Sequence, residues 1–276
     1  SGEQAQGNPY HPGAIETCCT IAWLAMSVEM LHMTGSSVVA DELELSTLNS
    51  ALGLIHPSGR WSTYNTPMDG VRRANIHEIV FQARPGSPEL NCCSVNAARG
   101  LGLIGEWALL RDAGGLDLNW YGAGAITTTL DSGTAVQIVQ QTDYPRDGHV
   151  RIRVEPENGL ESFTLRLRIP SWSDTTRVRL NNEELPSPRA GRYLELTRPW
   201  KRGDTIDLEL DFAPRWWVGE RECAGRASLY RGPNLMTYDR RFNDASDEVP
   251  ALDARRLDGR LVADSRHLAP MVLVEY

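Results

Sequence analysis

Asn91, Cys92, Cys93 and Ser94, in the stretch Pro88-Glu-Leu-Asn-Cys-Cys-Ser-Val-Asn-Ala-Ala-Arg99, are the residues of this chain best suited to chemistry. Adjacent cysteines join each other only through a strained small ring, so a vicinal pair more readily offers two thiols to something else, a metal foremost. Ser94 is placed to cap the helical run that follows from Val95 to Leu110, which would leave both thiols just outside a helix start. Unpaired amides and the macrodipole there favour anionic sulfur and lower its pKa. Upstream, Glu16-Thr-Cys18-Cys19 opens a second helical run. Residues two apart in a regular helix point about 200° apart, so Glu16 and Cys18 could share a ligand only at a helix entrance. One carboxylate and three thiolates from two helix starts would give zinc four ligands: Glu16, Cys18, Cys92 and Cys93. The same cysteines also read as core, because cysteine is among the most buried residue types. Cys19, about 100° around the helix from Cys18, is expected in the core, and the isolated Cys223 as an apolar filler.

Two kinds of element must position these groups. Helical periodicity runs from about Thr17 to Thr34 and stops at Gly35, with Ile21, Leu24, Ala25, Val28 and Leu31 along one side. Another helix is expected from Val38 to about Leu54, and a third from Val95 to near Arg111. His32 and the group Met26, Met30, Met33 read as packing residues on these faces. Between His56 and Leu90 the chain has no periodic run, and so long an irregular connection is usually functional. It carries Trp61, Tyr64, Arg72, Arg73, His77, Glu78 and Gln82, groups suited to gripping a sugar, with His77 and Glu78 the candidates for substrate contact.

After Arg111 the period changes. Stretches such as Ala135-Val-Gln-Ile-Val-Gln140, His149-Val-Arg-Ile-Arg-Val154 and Thr205-Ile-Asp-Leu-Glu-Leu210 alternate apolar with polar residues, separated by turns at Asp131-Ser-Gly133, Asn181-Asn182 and Arg202-Gly-Asp204. Alternating strands with turn punctuation imply an antiparallel β-sandwich. Arg151, Arg153, Arg166, Arg168, Arg177 and Arg179 are expected on its solvated outer faces. Trp200, Trp216 and Trp217 read either as a carbohydrate platform or, preferably, as packing. The segment from Asn243 onward is polar and irregular and receives no assignment.

The 276 residues, 41% of them hydrophobic, suffice for one large domain or two modest ones. A net charge of -8 argues against nucleic acid or an anionic membrane as the main partner, whereas neutral sugars fit. No stretch is long and apolar enough to span a membrane. The five cysteines, two vicinal pairs among them, favour a reducing, cytoplasmic setting. The chain opens on Ser1 rather than Met, which suggests the later portion of a longer protein.

At these residues the sequence resembles glycoside hydrolase family 127, the β-L-arabinofuranosidases. The resemblance rests on Gly2-Glu3 ahead of Glu16-Thr-Cys18, on Tyr64-Asn-Thr-Pro-Met68, and on Cys92-Cys-Ser-Val-Asn-Ala-Ala-Arg99. It continues through Gln141-Thr-Asp-Tyr-Pro-Arg-Asp-Gly148 and Phe163-Thr-Leu-Arg-Leu-Arg-Ile-Pro-Ser-Trp172. It implies a multidomain α and β protein: part of an (α/α)6 barrel over residues 1–115, followed by a β-sandwich domain over 116–276. It further implies zinc held by the Glu and three Cys, Cys92 as nucleophile, Glu3 as general acid/base, Tyr64 near the sugar, and a glycoside or oligosaccharide as substrate. The expected helices are too few to close such a barrel, so weak or no turnover is expected of this chain alone. The alternative is a non-catalytic, zinc-stabilised carbohydrate-binding module, or an inactive fragment of the enzyme.

Overall fold

The computed structural model describes residues 15–56, 58–59, 61–66, 91–238 and 273–275. These divide into two compact units, one made of Trp23–Ser46 with Gly100–Phe212, the other of the described parts of Ser1–Ala22, Thr47–Arg99 and Ala213–Tyr276.

The chain enters as a two-residue strand β1 (Ile15–Glu16), continues directly into α1 (Thr17–Thr34), and after Gly35 into α2 (Ser37–Ser46) and a π-helical turn over Thr47–Leu52. Gly35 ends α1 as expected: its φ is +57°, and its N–H reaches Leu31 O at 2.8 Å, so a left-handed cap closes the last turn. Ile21, Leu24, Val28 and Leu31 are buried, but Met26, Met30 and Met33 are exposed, a departure from the packing role expected of them. The reason is angular. Met26 and Met30 each lie two residues from a member of the buried stripe, about 200° around the helix.

β2 (Asn65–Thr66) pairs antiparallel with β1. The helix expected to reach Arg111 is shorter: α3 spans Cys92–Gly102, α4 spans Ile104–Trp107, and the chain is already extended in β3 (Leu109–Asp112). Then follow β4 (Gly115–Leu118), β5 (Gly124–Thr129), β6 (Ala135–Thr142), β7 (His149–Pro156), β8 (Leu160–Ile169), β9 (Arg177–Leu180), β10 (Glu183–Glu184), β11 (Arg192–Lys201) and β12 (Asp204–Glu209). They build a six-stranded sheet, β10-β9-β12-β7-β6-β5, and a four-stranded sheet, β11-β8-β4-β3. Inward residues of both, including Leu116, Ile138, Ile152, Leu165, Leu167, Trp200 and Ile206, form one apolar core, the sandwich that strand alternation implied. Trp200 is a packing residue there, and its indole N–H donates to Phe163 O.

The sandwich is not wholly antiparallel. β4 runs parallel to β8, with Leu116 opposite Leu165, and the chain between them passes through three strands of the other sheet, ample length for a parallel crossover. Gly115 permits this pairing, because a Cβ there would lie 1.9 Å from Thr164 O.

Arg168 departs from the solvated position expected of it. Alternation stops at the end of β8, where Leu167, Arg168 and Ile169 are all fully buried. Asp41 and Glu44, one turn apart on α2, receive the guanidinium: Nη1 lies 2.6 Å from Asp41 Oδ1 and Nη2 pairs with Glu44 Oε1. Nε–H donates to Asn119 O, while Glu44 also accepts from Tyr144 Oη–H and Trp172 Nε1–H. Burial opposes the Arg168 charge, but Glu44 and Asp41 outweigh it and hold its pKa well above the usual value.

In the other unit, a further four-stranded sheet follows the order β13 (Pro214–Val218), β14 (Ala227–Arg231), β15 (Asn234–Tyr238) and β16 (Leu273–Glu275). Asn49 of the π-helical turn ties to it, its amide N–H donating to Pro233 O at 2.8 Å and its Oδ1 accepting from Leu235 N–H at 2.7 Å. Trp216 and Trp217 lie on β13, with Trp217 exposed, and Cys223 is buried as expected. None of the described helices is long and apolar enough to cross a membrane.

Candidate metal centre

Two helix starts and one short strand pair bring four donors together. The β1–β2 pairing sets Glu16 opposite Asn65, and Thr17 then locks the entry to α1: its N–H reaches Tyr64 O at 2.9 Å and its hydroxyl donates to Thr63 O at 2.6 Å. Glu16 is therefore held in extended backbone while Cys18 sits in the first turn, which removes the angular conflict that a regular helix would impose on the two.

Asn91, rather than Ser94, caps α3. Its Oδ1 accepts from Cys93 N–H at 3.0 Å and Ser94 N–H at 3.2 Å, so Cys92 and Cys93 lie inside the first turn instead of outside it. Asparagine is a preferred N-cap, and its place ahead of the helical run made this readable from sequence.

One ligand atom from each of Glu16, Cys18, Cys92 and Cys93 lies within 4.8 Å of the other three. Cys18 Sγ is 3.5 Å from Cys93 Sγ, Cys92 Sγ is 4.0 Å from Cys93 Sγ, and Cys93 Sγ is 3.9 Å from Glu16 Oε1. Tetrahedral zinc with metal–sulfur bonds of about 2.3 Å would separate its sulfurs by roughly 3.8 Å, so the donor set fits such an ion in number, type and spacing. None of the five cysteines forms a disulfide.

Burial pushes the Cys93 thiol well up, and the adjacent Cys18 and Cys92 sulfurs add to it. Cys18 is raised as well, by burial first and by Cys92, with the Asn96 hydrogen bond opposing. The lowering expected of the vicinal pair at a helix start is thus reversed at Cys93, because desolvation and sulfur–sulfur crowding outweigh the macrodipole. A bound cation would invert this balance.

Tyr64 is buried, 2% exposed, and its hydroxyl accepts from the Cys92 thiol at 3.8 Å. Burial, Cys92 and the Glu16 charge all raise the phenol's pKa, so it keeps its proton and can serve as a donor to an ionised Cys92. Asn96, which sequence reading passed over, donates its amide N–H to Cys18 Sγ at 3.2 Å. The available signal was its spacing, four residues from Cys92 and three from Cys93, which places it on the same helical face. Cys19 is exposed rather than in the core, since α1 turns it away from the other thiols. Glu3, His77 and Glu78 lie outside the described residues.

Such a donor set could hold a metal ion, and comparison with known sequences gives the chain a family. Residues 3–106 match the beta-L-arabinofuranosidase GH127 catalytic domain and residues 115–212 the GH127 middle domain. The chain belongs to glycoside hydrolase family 127. It is 26% identical over 230 residues to a non-reducing end beta-L-arabinofuranosidase of Bifidobacterium longum subsp. longum, a match covering 79% of this chain and 34% of that protein. Among solved structures it is similar to a GH127 beta-L-arabinofuranosidase from Geobacillus stearothermophilus T6, with TM-score 0.70, 29% identity, and 83% of this chain against 37% of that one covered. A further glycoside hydrolase gives TM-score 0.71 and 27% identity over 81% of this chain and 38% of its own. The chain thus spans about a third of the length of these relatives.

Proposed function

We propose that this chain carries the catalytic centre of a retaining glycoside hydrolase of β-L-arabinofuranosidase type, with zinc held by Glu16, Cys18, Cys92 and Cys93. The observation that carries the reading is the clustering of those four donors within 4.8 Å in a chain of this family. Cys92 is the nucleophile. Its sulfur attacks the anomeric carbon, the glycosidic C–O bond breaks, and the leaving oxygen takes a proton from Glu3. Water then attacks the same carbon, gives a proton to the Glu3 carboxylate and expels Cys92, so configuration is retained. Zinc, when bound, keeps the thiols ionised at neutral pH. Tyr64, 3.8 Å from Cys92, stays protonated and donates to the thiolate as it departs. Tyr64 and His77 are the proposed substrate contacts, and the substrate is a glycoside or oligosaccharide.

On this reading the chain divides near residue 115, between the catalytic-domain match that ends at 106 and the middle-domain match that begins at 115, with the preceding residues proposed as part of an (α/α)6 barrel and the following ones as β-sandwich material. Reduced thiols suit a cytoplasmic setting.

A mechanism-based arabinofuranosyl trap tests the reading. An adduct at Cys92, absent in Cys92→Ala, supports it. Sugar binding unchanged in Cys92→Ala, with no adduct in the parent protein, would instead make the metal structural and the chain a carbohydrate-binding module.

A further inference from the structure

Asn96 stands mid-helix on α3, where asparagine is a poor helix former. It is half-buried, and its amide crosses from the Cys92–Cys93 helix to the other ligand segment, ending 3.2 Å from Cys18 Sγ. The three sulfurs are consequently not equivalent. Cys92 faces a phenol, Cys93 is enclosed among the other donors, and Cys18 receives a carboxamide N–H.

We infer that Asn96 is a positioning residue for the metal centre: its side-chain N–H, hydrogen-bonded to Cys18 Sγ, fixes that sulfur as the anchoring ligand. The inference rests on the metal-binding reading above and extends it to a residue beyond the four donors. An N–H donated to a metal thiolate draws electron density from the sulfur, offsetting part of the negative charge that one carboxylate and three thiolates bring to a dication. It also holds the Cys18 rotamer from the α3 side of the cluster. The anchoring sulfur stays in place while Cys92, beside the Tyr64 phenol, is left to react.

The test uses cobalt(II) in place of zinc, because sulfur-to-cobalt charge transfer reports on the sulfur itself. Asn96→Leu and Asn96→Asp each remove the donor, the first by an apolar side chain and the second by an isosteric carboxylate. Both are expected to move the charge-transfer band to lower energy and to weaken cobalt and zinc binding by about 10–100-fold, with far-UV circular dichroism unchanged. The band is decisive. An unshifted band in a folded variant overturns the assignment, whether or not affinity falls, since weaker binding alone would mean that Asn96 only packs. A parent protein that binds neither zinc nor cobalt overturns this inference together with the metal reading, whereas an unshifted band in both metal-loaded variants overturns this inference alone.

Discussion

Two of the sulfurs in the cluster are held as neutral thiols by their surroundings, and that sets how the site meets a cation. Cys18 and Cys93 have pKa values raised by burial, so near neutral pH both keep their protons until a metal displaces them. The sign follows directly. Each proton released on binding makes the apparent affinity fall as pH falls, by on the order of tenfold per pH unit per proton. Zinc titration in weak buffer at neutral pH is expected to acidify the solution, and affinity to drop steeply between about pH 7.5 and 6. A flat affinity with no proton release would show that other groups hold the metal. The types of the donors were legible in Glu16-x-Cys18 and in the vicinal pair, because both sit at recognisable helix starts. The direction of the thiol shifts was not, since it arises first from burial, in a cluster whose two halves lie 75 residues apart in sequence. Asn96 was half legible: spacing put it on the face of the pair, but nothing local names Cys18 as its partner.

Strand and helix patterning carried well as far as each element's own periodicity reached. The α1 boundaries follow from the apolar stripe and Gly35, and the Asn181-Asn182 turn, with both residues at positive φ, joins β9 to β10 as its composition implies. Patterning failed where one element covers another. Arg166 and Arg168 alternate onto the same face of β8, and only α2 decides which of them is buried. Asp41 and Glu44, spaced to lie on one side of α2, enclose Arg168 completely, whereas Arg166 pairs with Asp117 and Asp112 nearer the surface. Removing the cation would strand two buried carboxylates. Arg168→Met is therefore expected to cost about 3–5 kcal/mol in denaturant unfolding. Adding Asp41→Asn and Glu44→Gln to the same chain should recover part of this, because neutral amides tolerate burial better than unpaired charge. A single variant within about 1 kcal/mol of the parent would mean that water reaches those carboxylates.

At the scale of the whole molecule, one unit contains all four metal donors and the other contains the sandwich core. The two depend on different physics. The sandwich unit has a continuous apolar interior running through Leu116, Ile152, Leu165, Trp200 and Ile206, backed by the Arg168 cluster, and nothing in its core uses a metal. The donor unit instead joins segments distant in sequence, Glu16–Cys18 and Cys92–Cys93, through thiols that crowd one another and gain a common partner only when a cation is bound. Metal binding would then supply folding energy to that unit specifically. Chelation is expected to leave hydrogen-exchange protection in β6, β7, β8 and β12 unchanged, while the α3 amides from Ser94 to Arg99 lose protection by tenfold or more, on the order of 1.4 kcal/mol. Equal loss in both regions would show that the metal supports the entire chain, and no loss in α3 would show that Asn91 capping and local packing hold the cluster without it. Linear sequence could not anticipate this partition, because the donor unit also takes in β13 to β15, joined to the π-helical turn through Asn49 across more than 180 residues.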